Sequence, residues 1–126
     1  MLERIVTGSL LLVAIIHLLP ISGFLSVSRL ASLYGIAIDD ANLEILMRHR
    51  AVLLGILGMF IAYAAFQPYL QAYALMAGFA SVVSFFYLSY KVGGFNSALQ
   101  KVVIADVVAL VALIIALGCY LYSKAA

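Results

Sequence analysis

Charge is what this chain of 126 residues lacks most, because only 10% of its residues are Asp, Glu, Lys or Arg. Hydrophobic residues make up 67% of the chain, and the mean hydropathy is +1.23. A soluble globule of this size needs more polar surface than that to cover itself. The composition therefore excludes an ordinary soluble domain and indicates a protein that lies in a lipid bilayer.

Other absences exclude kinds of site. The single cysteine, Cys119, rules out an intramolecular disulfide and a metal cage built from cysteines. The net charge of +2 comes from scattered residues without a basic run, so we expect no nucleic-acid partner. Neither a histidine-rich nor a paired-carboxylate motif is present. We therefore assign no metal ligand, no catalytic residue and no cofactor, and we expect a protein that is not an enzyme.

Long uncharged runs are what the chain does have. Residues 5–28 and 51–90 contain no Asp, Glu, Lys or Arg, and Gln67-Pro68 divides the longer run near its middle. A hydrocarbon core about 30 Å thick takes roughly 20 apolar residues per helix, so these runs hold three spans, and a fourth follows Lys101. We predict an all-α, four-helix transmembrane bundle in up-down-up-down order, forming one domain over residues 1–126. The predicted spans are residues 5–25, 46–66, 69–90 and 102–122.

The polar stretch between the first two spans has local signals of its own. Residues 28–34 read as a short amphipathic segment at the membrane interface, ended by Gly35. Asp39-Asp40 supplies the expected N-cap of the second helix, and Glu44 lies four residues before Arg48, on the same helix face. The second helix is thus expected to begin outside the hydrocarbon and to carry charge into its edge.

Small residues recur along one side of spans 2, 3 and 4. The stripes are Gly55, Gly58, Ala62 and Ala65; Ala74, Ala77, Gly78, Ser81 and Ser84; and Ala105, Ala109, Ala112 and Ala116. Membrane helices associate through such surfaces because small side chains let backbones approach closely. We expect one stripe to remain for self-association, or for another membrane protein, beside the contacts with membrane lipids.

The distribution of basic residues predicts an orientation. The loops after spans 1 and 3, with the helix ends next to them, carry five basic residues, and the opposite side carries two: Arg29, Arg48, Arg50, Lys91 and Lys101 against Arg4 and Lys124. Basic residues are enriched on the cytoplasmic side of membrane proteins. The first and third loops are therefore predicted to be cytoplasmic.

Five polar residues are predicted to form one centre inside the bundle: His17, Arg48, His49, Arg50 and Asp106. Asp106 lies about 7 Å below the end of the third loop, and His17 lies roughly 12 Å below the same boundary. An isolated carboxylate in hydrocarbon costs about 2.5 to 3.5 kcal/mol, so Asp106 is expected to face inward and to pair with Arg50 or, failing that, with Arg48.

Several functions fit such a centre. It is either a structural staple, with Arg48 bound to Asp106, or a site that binds a lipid-like or small ligand in an accessory or interaction protein. A proton-coupled transporter acting as an oligomer would use Asp106 and His17 as its titrating groups. A haem protein would use His17 and His49 as two axial ligands.

The chain also resembles an uncharacterised family of small bacterial four-helix inner-membrane proteins, and more distantly the DoxX-like class. The resemblance rests on HLLPISG at 17–23, LYG at 33–35, NLEILMRHRAVLLG at 42–55 and Ala105-Asp106. Some members carry the label phosphopantetheine adenylyltransferase, which does not fit a chain without a paired-histidine nucleotide motif or alternating strands and helices. The resemblance implies a bacterial inner-membrane location and no particular activity.

The first prediction concerns haem. Because His49 is expected several ångströms nearer the membrane edge than His17, the two histidines are poorly placed to share one iron, and the purified protein should be colourless. Absorption spectroscopy checks this. A Soret band stoichiometric with protein, lost in both His17→Ala and His49→Ala, would reverse the expectation.

Overall fold

The computed structural model describes residues 1–24 and 26–125, and every regular element among them is helical. The helices are α1 (Leu2–Leu18), α2 (Val27–Tyr34), α3 (Ala41–Ala64), α4 (Gln71–Val92) and α5 (Ser97–Ala125), with 3₁₀ turns at Leu19–Phe24 and Pro68–Leu70. The predicted all-α bundle is therefore confirmed. Four helical segments, all but α2, are long and apolar enough to cross a membrane.

The outer surface of the four long helices is apolar. One example from each is Ile15, Ile56, Met76 and Ile114, and every one of these side chains is more than half exposed. A soluble protein seldom leaves so many large apolar side chains in water, whereas a bilayer accommodates them. The inside holds the fully buried layer of Leu10, Val13, Ile61, Val82 and Leu113.

Each long helix packs against two others, in the cyclic order α1, α3, α4, α5. At one end of the bundle, Thr7 Oγ1 and Gln71 Nε2 donate to the Ala65 carbonyl oxygen at 2.9 and 3.2 Å. That carbonyl follows the last turn of α3, where no backbone donor is left for it. Side chains from α1 and α4 thereby close the end of α3.

Most of the small residues in the stripes of α3, α4 and α5 face into this bundle, whereas Ser84 of the α4 stripe is exposed. Gly58, Gly78 and Ala109 are all buried. A Cβ atom on Gly58 would lie 3.0 Å from the Ala14 carbonyl oxygen, and one on Gly78 would lie 2.9 Å from a Leu113 methyl carbon. These parts of the stripes are used for packing within the chain.

The connection from α1 to α3 is organised by α2. Its N-cap is Ser26, and it ends at Gly35, whose φ of 64° is a left-handed conformation that glycine adopts without strain. Asn96 Nδ2 donates to the carbonyl oxygens of Tyr34 and Gly35, both at 3.0 Å, while Asn96 Oδ1 caps α5 at the Leu99 amide. One side chain therefore fixes α2 to the start of α5.

Local signals placed several boundaries correctly. Asp40 is the N-cap of α3, and Arg48 Nη1 donates to Glu44 Oε2 at 3.0 Å, as predicted. The α-helix of the first span ends sooner than predicted, at Leu18, and a 3₁₀ turn containing Pro20 follows. Proline cannot donate a backbone hydrogen bond, which explains the change of helix type. The predicted end of that span, Leu25, lies outside the described residues.

The second prediction tests the close approach of α1 and α3. Gly58→Ala should lower the free energy of unfolding by about 1 to 3 kcal/mol, because the new methyl group meets backbone that cannot swing aside. Gly118→Ala is the matched control, since a Cβ atom there has no neighbour within 4 Å. It should be neutral or stabilise by up to about 1 kcal/mol. Thermal unfolding in mild detergent measures both, and equal effects would contradict the packing.

Candidate functional site

A cavity of about 420 Å³ lies at the end of the bundle that α2 covers. It is enclosed by the last turns of α1, the first half of α3, the second half of α4, the start of α5 and one side of α2. The residues that carry its chemistry are His17, Arg29, Arg50, Ser81, Lys101 and Asp106. Apolar side chains complete the wall: Ile16, Leu19, Pro20, Leu33, Leu54, Phe85, Ala98, Val102 and Ala105, with Ser32 beside them.

His17 forms the inner, buried part of this cavity, with only 4% of its surface exposed. Its Nδ1 lies 2.9 Å from the Val13 carbonyl oxygen, and its Nε2 lies 2.9 Å from Ser81 Oγ. A carbonyl only accepts, so Nδ1 carries a hydrogen, and in the neutral ring Nε2 accepts from the Ser81 hydroxyl. The histidine thus joins α1 to α4 across the bundle and leaves the lone pairs of Ser81 for the cavity.

Arg50 enters the cavity from α3 and is held by two aromatic residues. Its Nη1 donates to the Tyr34 hydroxyl oxygen. The guanidinium carbon lies 5.3 Å from the centre of the Tyr34 ring and 6.0 Å from that of Phe85, within the range of cation–π attraction. Guanidinium has five N–H donors, so this arrangement orients Arg50 without using all of them.

Tyr34 is the link between α2 and the cavity. Its side chain is buried, and burial raises the pKa of its phenol above the usual value, although the neighbouring Arg50 cation acts in the opposite direction. The phenol therefore stays protonated at neutral pH and can accept from Arg50 while keeping its own hydrogen. Since the same residue's carbonyl is bound by Asn96, the position of Arg50 depends on how α2 is anchored.

Asp106 is the carboxylate of the cavity. It is half-buried on α5 and lies within electrostatic range of His17 and Arg50. Among the residues that the structure describes, no ion pair joins it to Arg50. The predicted direct pair is not formed between these two described residues, and the Arg50 guanidinium instead donates to Tyr34, a partner that counting depth along the helices does not reveal.

Three of the five residues predicted for the polar centre come together here: His17, Arg50 and Asp106. Arg48 does not line the cavity and forms an ion pair with Glu44. His49 is exposed on α3. Successive residues of a helix point about 100° apart, so three consecutive residues cannot share one face.

Several residues of the cavity were missed by the reasoning from sequence. Arg29 and Lys101 entered it only as charges that orient the chain, and Ser81 only as a small residue. The sequence does hold a signal for Lys101. Ala98, Lys101 and Ala105 recur at helical spacing and so share one face of α5, and Asp106 directly follows the last of them. Nothing in the local sequence indicates that Tyr34 reaches Arg50, 16 residues away.

A second cavity, of about 450 Å³, lies at the opposite end of the bundle beside Thr7, Ala65 and Gln71. The fully buried apolar layer, which includes Leu10 and Leu113, lies between the two cavities. Over the described ranges, no group of three or more His, Cys, Asp or Glu side chains is placed to hold a metal ion.

Comparisons with known proteins add no assignment: no family model, no curated protein and no solved structure matches this chain. The site must therefore be interpreted from its own geometry.

The third prediction compares two double-mutant cycles. The Arg50→Met and Tyr34→Phe cycle should show coupling of about 0.5 to 3 kcal/mol, because the two residues share a hydrogen bond and a cation–π contact. The Arg50→Met and Asp106→Asn cycle should show less, since that pair is not in contact. Thermal or denaturant unfolding in detergent gives both values. Stronger coupling to Asp106 than to Tyr34 would restore the ion pair expected from the sequence.

Proposed function

We propose that this protein is an integral protein of the bacterial inner membrane that binds a lipid-like or small ligand in the cavity beneath α2. The observation that supports this most directly is the cavity itself, where apolar walls from five helices enclose a few polar groups. Sites for small molecules have that composition and volumes of roughly 300 to 1,000 Å³. The volume here falls within that range.

The rim of the cavity favours a ligand that comes from the bilayer. Leu19 lines the cavity and is also 62% exposed on the outer surface of the bundle. An exposed leucine in a membrane-spanning region faces lipid chains, so the cavity meets the hydrocarbon beside this residue. A ligand with an apolar chain can therefore place its polar part inside while its chain remains among the lipids.

Binding is favoured over transport by the packing between the two cavities. The layer that separates them includes Leu10, Val13, Ile61, Val82 and Leu113, all less than 2% exposed. No polar side chain from this layer offers a path for an ion or a proton. A proton-coupled transporter would have to open the best-packed part of the molecule, whereas a binding protein needs only the cavity.

Haem ligation through two histidines has even less geometric support. Both ring nitrogens of His17 already have hydrogen-bond partners, and His49 lies on an exposed face outside the cavity. A shared iron would require both imidazoles to face one space.

In the proposed orientation the first and third loops are cytoplasmic, following the excess of basic residues. The cavity then opens near the cytoplasmic side of the membrane, since α2 and the start of α5 border it.

The fourth prediction concerns a variant in which a larger side chain fills the cavity. Ala105→Phe places an aromatic ring in it, and Ala80→Phe places the same ring on the exposed face of α4. Protein purified in mild detergent should carry a co-purifying amphiphile that mass spectrometry detects in the wild type and in Ala80→Phe, and that is reduced several-fold in Ala105→Phe. Equal amounts in all three proteins, or none in any, would contradict a binding site here.

A further inference from the structure

The charges of the cavity are unbalanced. Arg29, Arg50 and Lys101 contribute three cations, while Asp106 contributes one carboxylate. In the part of the chain that the structure describes, neither Arg29 nor Lys101 forms an ion pair, and the guanidinium of Arg50 binds a neutral phenol. Three of the seven Lys and Arg side chains of this weakly charged protein therefore line one cavity.

The polar groups also lie at different levels. Arg29 and Lys101 are exposed at the outer end, on α2 and in the second turn of α5. Asp106 lies farther along α5, about 7 Å deeper than Lys101 at 1.5 Å per residue. His17 and Ser81 are on the inner side, where, with a neutral imidazole, their mutual hydrogen bond uses the hydrogen of the Ser81 hydroxyl. Cations therefore surround the entrance, and acceptors lie farther in.

From this arrangement we propose that the cavity selects an amphiphile whose head group is an anion, a carboxylate or a phosphate, bound by Arg29, Arg50 and Lys101. This inference rests on the proposed function, since it names the class of ligand that the same cavity takes. The apolar chain leaves beside Leu19, and the head stays at the level of the cations, where membrane head groups also lie.

Each side chain has a stated part in this selection. Arg50 is a planar donor held in place by Tyr34 and Phe85, which suits an oxyanion with two acceptor oxygens. Arg29 and Lys101 add attraction at the entrance. Asp106 repels the ligand's charge from inside and keeps the head from moving deeper. Removing a cation and removing Asp106 should therefore change the affinity in opposite directions.

The fifth prediction uses three probes with the same fluorescent sixteen-carbon chain: a carboxylic acid, its methyl ester and a phosphocholine, whose quaternary ammonium cancels the charge of its phosphate. In a non-ionic detergent the wild-type protein should bind the carboxylate probe at least about tenfold more tightly than either of the other two probes. Acetate and inorganic phosphate, which have no chain, should displace it only weakly. Raising the salt concentration should weaken the binding of the carboxylate probe most, because salt screens its attraction to the cations at the entrance.

Variants show which side chains cause the preference for the carboxylate over the ester. Lys101→Gln and Arg29→Gln should each lower the preference for carboxylate over ester by up to about fivefold, the usual range for exposed charge pairs. Lys91→Gln, which removes an exposed cation in the last turn of α4 that does not line the cavity, is the matched control and should leave the preference unchanged. Asp106→Asn should raise it. Unfolding temperatures check that each variant is folded.

The outcomes separate the two proposals. If no probe binds, the proposed function fails. If all three probes bind equally and Lys101→Gln behaves like Lys91→Gln, the protein binds amphiphiles without regard to charge, and this inference alone is wrong. Strong displacement by acetate or phosphate would also overturn it, since the site would then bind a free anion and not an amphiphile.

Discussion

An imidazole among hydrocarbon chains needs a partner for each of its two nitrogens, and much of this structure follows from how His17 obtains them. One partner is a carbonyl of its own helix, and the other is Ser81 on the helix across the bundle. The second bond requires α1 and α4 to approach across the bundle axis. Close packing supplies that approach, because Gly58 brings α3 against α1 and Gly78 brings α4 against α5. The polar contact and the small residues thus depend on each other.

The same contact divides the interior into unlike parts. On one side of His17 the bundle is filled by large aliphatic side chains, and on the other side it opens into the cavity beneath α2. The histidine and serine close the inner end of that cavity with groups that have already satisfied each other. Charged groups are left for the region nearer the head groups, where Arg29, Arg50 and Lys101 lie. The amphiphile site proposed here therefore needs no charge at the centre of the membrane.

The sequence predicts the features of this fold that depend on neighbours in the chain. Composition and uncharged runs predict four spanning helices, and local rules predict the cap at Asp40, the pair of Glu44 with Arg48 and the end of α2 at Gly35. Depth along a helix can be counted, so His17, Arg50 and Asp106 were placed near one another. Rotation about the helix axis is harder to infer from the sequence, and Arg48 and His49, which directly precede Arg50, do not line the cavity. The contact of Tyr34 with Arg50 depends on how α2 lies across the bundle, which no local pattern specifies.

The hydrogen bonds from Thr7 and Gln71 to the Ala65 carbonyl tie three helices together at the end farthest from the cavity. The cavity end is held by other hydrogen bonds, between His17 and Ser81 and from Asn96 to the end of α2. At 1.5 Å per residue, α3 is about 36 Å long, so a small tilt about the distant end becomes a displacement of ångströms at the cavity. A ligand too bulky for the cavity would therefore strain the hydrogen bonds beside the cavity before it disturbed those to Ala65.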